Sequence, residues 1–155
     1  MSYWILAVCI LAPIVVGGLN SIATRKSIKD WYPTLNKPWW TPPNWLFAPV
    51  WSVLYVMMGT AMWLVLGSGA GRTILTVATV LWVVQLLLNA AWSPAFFARQ
   101  DPAGALRVLY VMDVAIIATI ALFWTLVPMA AYLMLPYLAW GLFATFLNIA
   151  IVRMN

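Results

Sequence analysis

The chain alternates between long apolar stretches and short segments that carry its charges, prolines and glycines. Five apolar stretches each reach the length of about 20 residues that an α-helix needs to cross a bilayer. They run approximately over residues 3–22, 46–66, 73–97, 103–126 and 129–152. Segments this long must be helices in lipid, because a helix satisfies its backbone hydrogen bonds within itself. We therefore predict an all-α integral membrane protein in which residues 1–155 form a single domain, a bundle of five transmembrane helices.

Composition supports a membrane protein and excludes several kinds of site. Hydrophobic residues make up 66% of the chain and charged residues 7%, which leaves too little polar material to cover a soluble domain. There is no histidine, and Cys9 is the single cysteine. The chain therefore lacks the commonest metal ligand and general base, and it has no internal disulfide. We expect no metal site, no required cofactor and an unreactive, buried thiol.

The basic residues predict the orientation of the bundle. With five spans, seven of the eight lysine and arginine residues fall on the side of the first loop, and only Arg72 falls on the other. The seven are Arg25, Lys26, Lys29, Lys37, Arg99, Arg107 and Arg153. The positive-inside bias then places the first loop and the C-terminus in the cytoplasm and the N-terminus outside. The first stretch has no basic region before it and is too long for the apolar core of a signal peptide, so we expect a retained span.

The segment from Trp31 to Tyr55 holds five tryptophans and five prolines. An ordinary helix does not tolerate this proline density, and a disordered linker would be poor in aromatic residues. We predict an ordered first loop that leads into a helix near Trp45. Two interpretations stay open for its function. It is a lid over a binding cavity, since long ordered loops are usually functional, or an interfacial belt, where tryptophan is favoured.

Among the polar side chains inside the predicted spans, where polar groups are costly and tend to be functional, four are candidates for a site. Gln85 and Asn89 are one turn apart on one face of the third span, Asn148 is in the fifth, and Asp113 is about 15 Å deep in the fourth. The amides are either cavity groups or hydrogen-bonding groups between helices. Asp113 is a cavity group, an ion-pair partner, or a neutral acid bonded to an amide. Protonation is the most economical of these states at the midplane.

The sequence contains no familiar arrangement of catalytic side chains. It contains no paired carboxylates, no nucleophile with a histidine, no zinc-ligand spacing and no phosphate-binding glycine loop. It offers aromatic side chains and a few amides instead. That combination suits a flat, conjugated, mostly apolar ligand held by stacking and shape.

Four sequence blocks resemble those of one known family. They are WYPTLNKPWWTPP (31–43), PVWSVLY (49–55), QLLLNAAWSPAFF (85–97) and PYLAWGLFATFLN (136–148). In this order they are similar to the tryptophan-rich sensory protein/translocator protein family (TspO/MBR, the peripheral-type benzodiazepine receptor). The blocks cover the first loop and three of the five predicted spans, and their combination is specific.

The resemblance implies a five-helix bundle, commonly a homodimer, with a ligand cavity covered by the first loop. Members of the family bind porphyrins such as protoporphyrin IX, and animal members bind cholesterol and benzodiazepine-type drugs. The matching cavity residues are Trp51, Tyr55, Asn89, Trp92, Trp140, Ala144 and Asn148, to which we add Gln85 for its place beside Asn89. The matching lid residues are Trp31, Lys37, Pro38, Trp40, Pro42 and Pro43. In the family, light-dependent breakdown of protoporphyrin depends on tryptophans of the cavity. Trp51 and Trp140 match these tryptophans and are therefore the candidate catalytic residues.

The sequence also departs from the animal pattern. Ile149 stands where the cholesterol-recognition element of animal members has tyrosine, so we do not expect cholesterol binding by that element. The absence of histidine fits a metal-free tetrapyrrole better than ligated haem iron. The short chain, with neither a presequence nor an arginine-rich tail of the animal type, favours a bacterial inner membrane over a mitochondrial outer membrane.

Three functional hypotheses follow. The first is a membrane protein that binds tetrapyrroles and other hydrophobic ligands and has a sensing or porphyrin-handling role. The second is an enzyme that degrades porphyrin in light, and the third is a transporter of porphyrin- or sterol-like ligands. A purely structural membrane subunit would explain the composition but not the cluster of polar and aromatic residues. Binding comes first because both other activities require it.

Overall fold

The computed structural model describes residues 2–155 and consists of five long helices joined by short connections. They are α1 (Tyr3–Asp30), α2 (Asn44–Leu66), α3 (Arg72–Ser93), α4 (Pro102–Leu126) and α5 (Pro128–Met154). Each contains a segment long and apolar enough to cross a membrane, and there is no strand within residues 2–155. The predicted five-helix transmembrane bundle is confirmed.

Helix ends follow from local sequence. Helix α2 begins at Asn44, directly after Pro42 and Pro43. Proline is disfavoured inside a helix but is tolerated before or within its first turn. In α4 the Asp101 carboxylate caps the helix by accepting a hydrogen bond from the Gly104 backbone N–H at 2.8 Å, as expected of an N-cap aspartate. Pro128 occupies the first position of α5 in the same way.

Two helix ends differ from the spans predicted by hydropathy. Helix α1 continues past the apolar stretch to Asp30, because its basic end contains no breaker before Pro33. The third helix changes at Pro94 into a five-residue π-helical turn, Pro94–Ala98, since a proline removes one hydrogen-bond donor from the ladder. The first loop is therefore residues 31–43, and its start is a 3₁₀ turn at Tyr32–Thr34.

The helices form a closed ring in the order α1, α2, α5, α4, α3. Helix α2 packs between α1 and α5, and α4 packs between α5 and α3. The π-helical turn at the end of α3 contacts α1 and completes the ring. Alternate helices run in opposite directions, so the first loop, the α3–α4 connection and the C-terminus lie at one end, here called the loop end.

Apolar side chains fill the interior and also cover the exterior. Met58, Phe123 and Tyr137 are fully buried at the centre of the bundle, whereas Leu19 and Val114 are about two-thirds exposed on its outside. A soluble protein does not expose apolar residues over its whole perimeter. This surface is suited to lipid.

Candidate functional site

A cavity of about 470 Å³ occupies the half of the bundle nearest the loop end. It lies between α1, α2, α5 and the end of α3. Its volume is within the range of about 300–1,000 Å³ that is typical of small-molecule sites. The side chains that define it include Ile14, Gly17, Asn20, Thr24, Tyr32, Phe47, Trp51, Tyr55, Asn89, Trp92, Phe96, Trp140, Phe143, Ala144 and Asn148.

Stacked aromatic rings form one wall of the cavity. Trp51 stacks on Tyr55 with ring centroids 5.4 Å apart and planes at 29°. On α5, the ring centroids of Trp140 and Phe143 are 5.3 Å apart. The ring centroids of Trp140 and Phe47 are 5.8 Å apart in edge-to-face geometry. These contacts fix the ring orientations, because aromatic pairs favour offset and edge-to-face geometry. The result is a rigid set of flat apolar faces.

Two amide side chains are held in the same cavity by hydrogen bonds between helices. The Tyr55 hydroxyl donates to Asn89 Oδ1 at 3.1 Å, which joins α2 to α3. The Trp92 indole N–H donates to Asn148 Oδ1 at 3.3 Å, and Asn148 Nδ2 donates to the Pro102 carbonyl at 2.7 Å. Asn148 is therefore bonded through both its oxygen and its nitrogen. Asn89, whose oxygen accepts the bond from Tyr55, also lines the cavity.

Charged residues are missing from the described residues that line the cavity. Tyr32, which closes the loop end, is 7% exposed, and burial raises the pKa of its hydroxyl, which stays neutral at physiological pH. A ligand body inside the cavity therefore meets rings, aliphatic groups and neutral donors. An isolated charge would be costly in such surroundings, so the cavity is suited to the uncharged part of a ligand.

The six predicted lid residues lie in or at the edge of the first loop, against the outer side of the cavity wall, and do not themselves line the cavity. Trp31 meets Phe96 edge-on at 5.6 Å, and Trp40 meets Phe143 at 5.8 Å. Both partners line the cavity. Pro38 begins a turn, in which Thr41 donates to the Pro38 carbonyl through its backbone N–H at 3.0 Å and its hydroxyl at 2.7 Å. Pro43 is extended directly before α2.

Lys37 stabilises the loop from within. Its ammonium group donates to the Tyr32 carbonyl at 2.7 Å and to the Leu35 carbonyl at 2.9 Å. It also lies 4.8 Å from the centre of the Tyr32 ring, a cation–π distance. Lys37 thus holds Tyr32 in the place where it closes the cavity.

The loop is also joined to the end of α5. Asn36 N–H donates to Asn155 Oδ1 at 3.0 Å, and Asn155 Nδ2 donates back to the Asn36 carbonyl at 3.0 Å. Other parts of the loop segment face outwards, and Trp39 is 95% exposed. The two interpretations of this segment, a lid over the cavity and an interfacial belt, therefore both stay predictions.

Seven of the eight residues predicted to contact a ligand line the cavity, and Gln85 does not. Gln85 is fully buried one turn farther from the loop end. Its Nε2 donates to the Trp82 carbonyl at 2.8 Å and to Met58 Sδ at 3.4 Å on α2. The expectation that Gln85 faces a ligand is not supported by this geometry. Gln85 shares a helical face with Asn89, but the cavity ends between the two side chains.

Asp113 is buried where α4 meets α5 and lies outside the cavity. Its Oδ2 accepts a hydrogen bond from the Thr145 hydroxyl at 2.7 Å. Its Oδ1 faces Gly141, where a β-carbon would come within 2.8 Å. The neighbour of the acid is thus a hydroxyl, neither an amide nor a cation. Its protonation at the midplane stays a prediction.

Sequence reasoning named no residue of α1 as part of the site. Gly17, Asn20 and Thr24 line the cavity from that helix, and Asn20 Nδ2 donates to the Ala90 carbonyl on α3 at 3.1 Å. The signal was present in the sequence. Two adjacent glycines and an asparagine interrupt an otherwise apolar span, and polar groups in spans usually face the bundle interior.

Comparison with known proteins identifies a matching family model and several similar proteins. The family model described as "TspO/MBR family" matches residues 9–154. The tryptophan-rich protein TspO of Chlorobaculum tepidum is 41% identical over 150 residues, which cover 97% of this chain and 95% of that protein. Protein CrtK of Rhodobacter capsulatus is 33% identical over all of this chain and 95% of its own length. The human translocator protein is 41% identical over 126 residues, 81% of this chain and 75% of that protein.

Proposed function

The chain belongs to the TspO/MBR family of membrane proteins, and on this premise we propose that it binds tetrapyrroles of the protoporphyrin IX type, and other hydrophobic ligands, within the helix bundle. The observation that carries the proposal is the uncharged cavity of about 470 Å³ walled by Trp51, Tyr55 and Trp140. Flat rings stack on such walls, and the neutral lining suits a metal-free macrocycle. The role that follows is sensing or handling of porphyrins rather than chemistry by a dedicated catalytic group.

Recognition of the ligand combines stacking with one directed hydrogen bond. Trp51 and Tyr55 present a nearly parallel pair of rings, to which a macrocycle adds as a further layer. Asn89 Nδ2 supplies a donor at the deep end, held in place by the bond from Tyr55 to its oxygen. A pyrrole nitrogen or carbonyl of the ligand is a suitable acceptor.

A second function, light-dependent degradation of the bound porphyrin, is favoured by the position of two tryptophans. Trp51 and Trp140 both line the cavity, so a photo-excited ligand would lie beside oxidisable indoles. Transport of the ligand is the third candidate function. With each of the three functions we also propose that the protein forms a homodimer and that its first loop lies in the cytoplasm. The orientation is supported by the seven basic residues at or near the loop end.

The function is tested by titration of the purified protein in detergent with protoporphyrin IX. We expect saturable quenching of tryptophan fluorescence in the dark, because several tryptophans lie within or beside the cavity. Absence of saturable quenching would refute tetrapyrrole binding and leave the fold assignment unchanged.

The same samples under light separate binding from degradation. If the enzyme function holds, porphyrin absorbance bands decay faster than those of free porphyrin, and Trp51→Phe and Trp140→Phe slow the decay while the dark affinity stays close to that of the wild type. Trp124→Phe is the matched control, because Trp124 lies on the outside of α4. If the porphyrin absorbance bands of the wild-type sample are stable in light, the protein binds porphyrin without degrading it.

Replacing Gln85 by methionine tests whether the inner end of the cavity lies between Asn89 and Gln85. We expect the Kd for protoporphyrin IX to change by less than about twofold, as for residues without a shared contact. Asn89→Ala, one turn nearer the loop end, is expected to raise the Kd about 2- to 13-fold through loss of one hydrogen bond. Equal effects of the two variants would show that the ligand extends deeper than the cavity described here.

A further inference from the structure

Helices α1 and α2 touch closely at one end and separate towards the loop end. At the contact, Gly59 of α2 lies against the backbone of Cys9 and Ile10, with no space for a side chain. Two turns of α1 farther along, Gly17 packs against the ring of Tyr55. Beyond Gly17 the two helices no longer bury each other.

The cavity is open to the outside of the bundle between the separated parts of α1 and α2. Gly18 and Ser21 on α1, and Ala48 and Ser52 on α2, all line the cavity and are all solvent-exposed in the isolated bundle. A residue that both lines a cavity and is exposed marks the rim of an opening. Ile14 of α1 and Asn44 of α2 meet the same description. The rim, here called the side opening, is thus formed by six residues, four of which have small side chains.

The side opening lies at membrane depth. Gly18 and Ser21 are in the last turn of the apolar span of α1, which ends at Ile22. Ala48 and Ser52 are in the first turns of α2, which is part of a span from its first residue. In a bilayer that covers these two spans, the surface outside the four residues faces the hydrocarbon of the leaflet nearest the loop end.

Several polar groups around the side opening are hydrogen-bonded within the protein. The Ser52 hydroxyl donates to the Ala48 carbonyl at 2.8 Å, and the Thr24 hydroxyl donates to the Asn20 carbonyl at 2.8 Å. Asn20 is bonded to α3. These three groups stay paired when an apolar molecule passes them, so they add no cost of an unpaired polar group.

The other route into the cavity, through the loop end, is closed. Tyr32 and Phe96, which are 7% and 2% exposed, fill that end. Trp31 packs on Phe96 from outside, and the hydrogen bonds between Asn36 and Asn155 hold the loop on α5. Access there requires the loop to leave its contacts, whereas the rim of the side opening is already exposed.

We propose that the side opening between α1 and α2 is the route by which a flat, apolar ligand dissolved in the bilayer reaches the cavity. The proposal rests on the proposed function, and it adds the source of the ligand: the hydrocarbon of the loop-side leaflet rather than the aqueous phase. The ligand slides in edge-first between the two helices and then stacks on Trp51 and Tyr55.

The test narrows the opening without touching the aromatic wall. Gly18→Phe and Ser52→Phe each place a ring on one side of the rim. Gly18 has no atom within 4 Å of where a β-carbon would lie, and Ser52 is exposed, so both rings are accommodated. The matched controls are Leu19→Phe and Val53→Phe, at the adjacent exposed positions that do not line the cavity.

Each variant is reconstituted in lipid vesicles that already contain protoporphyrin IX, and binding and release rates are followed by tryptophan quenching. A narrower passage slows both directions alike. We therefore expect the association and dissociation rate constants to fall together, each by about tenfold or more, with the Kd nearly unchanged, whereas both controls keep wild-type rates. The two variants lie on different helices, so failure of one to fold leaves the other as the test.

Rates equal to those of the controls would overturn the proposal and leave binding itself intact. A higher Kd with an unchanged association rate would also overturn it, because the new ring would then occupy the cavity rather than its access route. Failure of the wild-type protein to bind would be seen before any variant is compared and would refute the proposed function as well.

Discussion

Replacing Gly59 by valine is expected to lower the free energy of unfolding of the bundle by about 3 kcal/mol. A β-carbon at this position would lie 2.5 Å from the Cys9 carbonyl oxygen and 2.6 Å from the Ile10 α-carbon. Both are backbone atoms of α1, so they cannot yield by rotating a side chain, and the whole helix must move away. Close packing of helices through small residues is a main source of stability in lipid, where no hydrophobic effect drives helices together.

Gly18→Val is the matched control, because it makes the same change in a transmembrane helix at a place with no neighbouring atom within 4 Å. Both variants share the difference in helix propensity between glycine and valine, so their comparison isolates the steric overlap. The free energies are measured by unfolding purified protein with SDS and following far-UV circular dichroism. Equal stability of the two variants would show that α1 and α2 do not meet at Gly59.

Replacing Trp51 by alanine is expected to raise the Kd for protoporphyrin IX about 5- to 150-fold, the equivalent of about 1–3 kcal/mol for one lost stacking surface. Trp51 stacks on Tyr55 and meets the edge of Tyr137 at 6.1 Å, so it is both a wall of the cavity and a support for the neighbouring ring. The affinity is measured from the shift of porphyrin absorbance, because removal of a tryptophan changes the fluorescence signal itself.

Trp45→Ala is the control for Trp51→Ala. Trp45 is in the same helix, is 71% exposed and does not line the cavity, so its loss should leave the Kd at the wild-type value. If Trp51→Ala and Asn89→Ala both bind porphyrin as the wild type does, the ligand site is not this cavity. If Trp45→Ala weakens binding as strongly as Trp51→Ala, binding takes place at the membrane interface.

Individual residues show why sequence reasoning located most of the site but not all of it. Asn89 and Gln85 share one helical face, yet one lines the cavity and the other is buried beneath it. The difference depends on where Tyr55 of α2 reaches across to α3, which a single helix does not encode. Asp113 likewise met a hydroxyl of α5 rather than one of the partners considered for it.

The sequence by itself determined the five helices, because each apolar stretch must close its own backbone hydrogen bonds in lipid, and its motifs indicated the family. The tertiary structure alone decided which face of each helix is turned inwards. In a soluble protein the apolar face of a helix marks the core, but in a membrane protein the lipid side is as apolar as the interior. For that reason the apolar pattern of α1 did not mark its inward face, for which the interruption by Gly17, Gly18 and Asn20 was the one sign. Nothing in the pattern showed that exposed residues of α1 and α2 border the cavity.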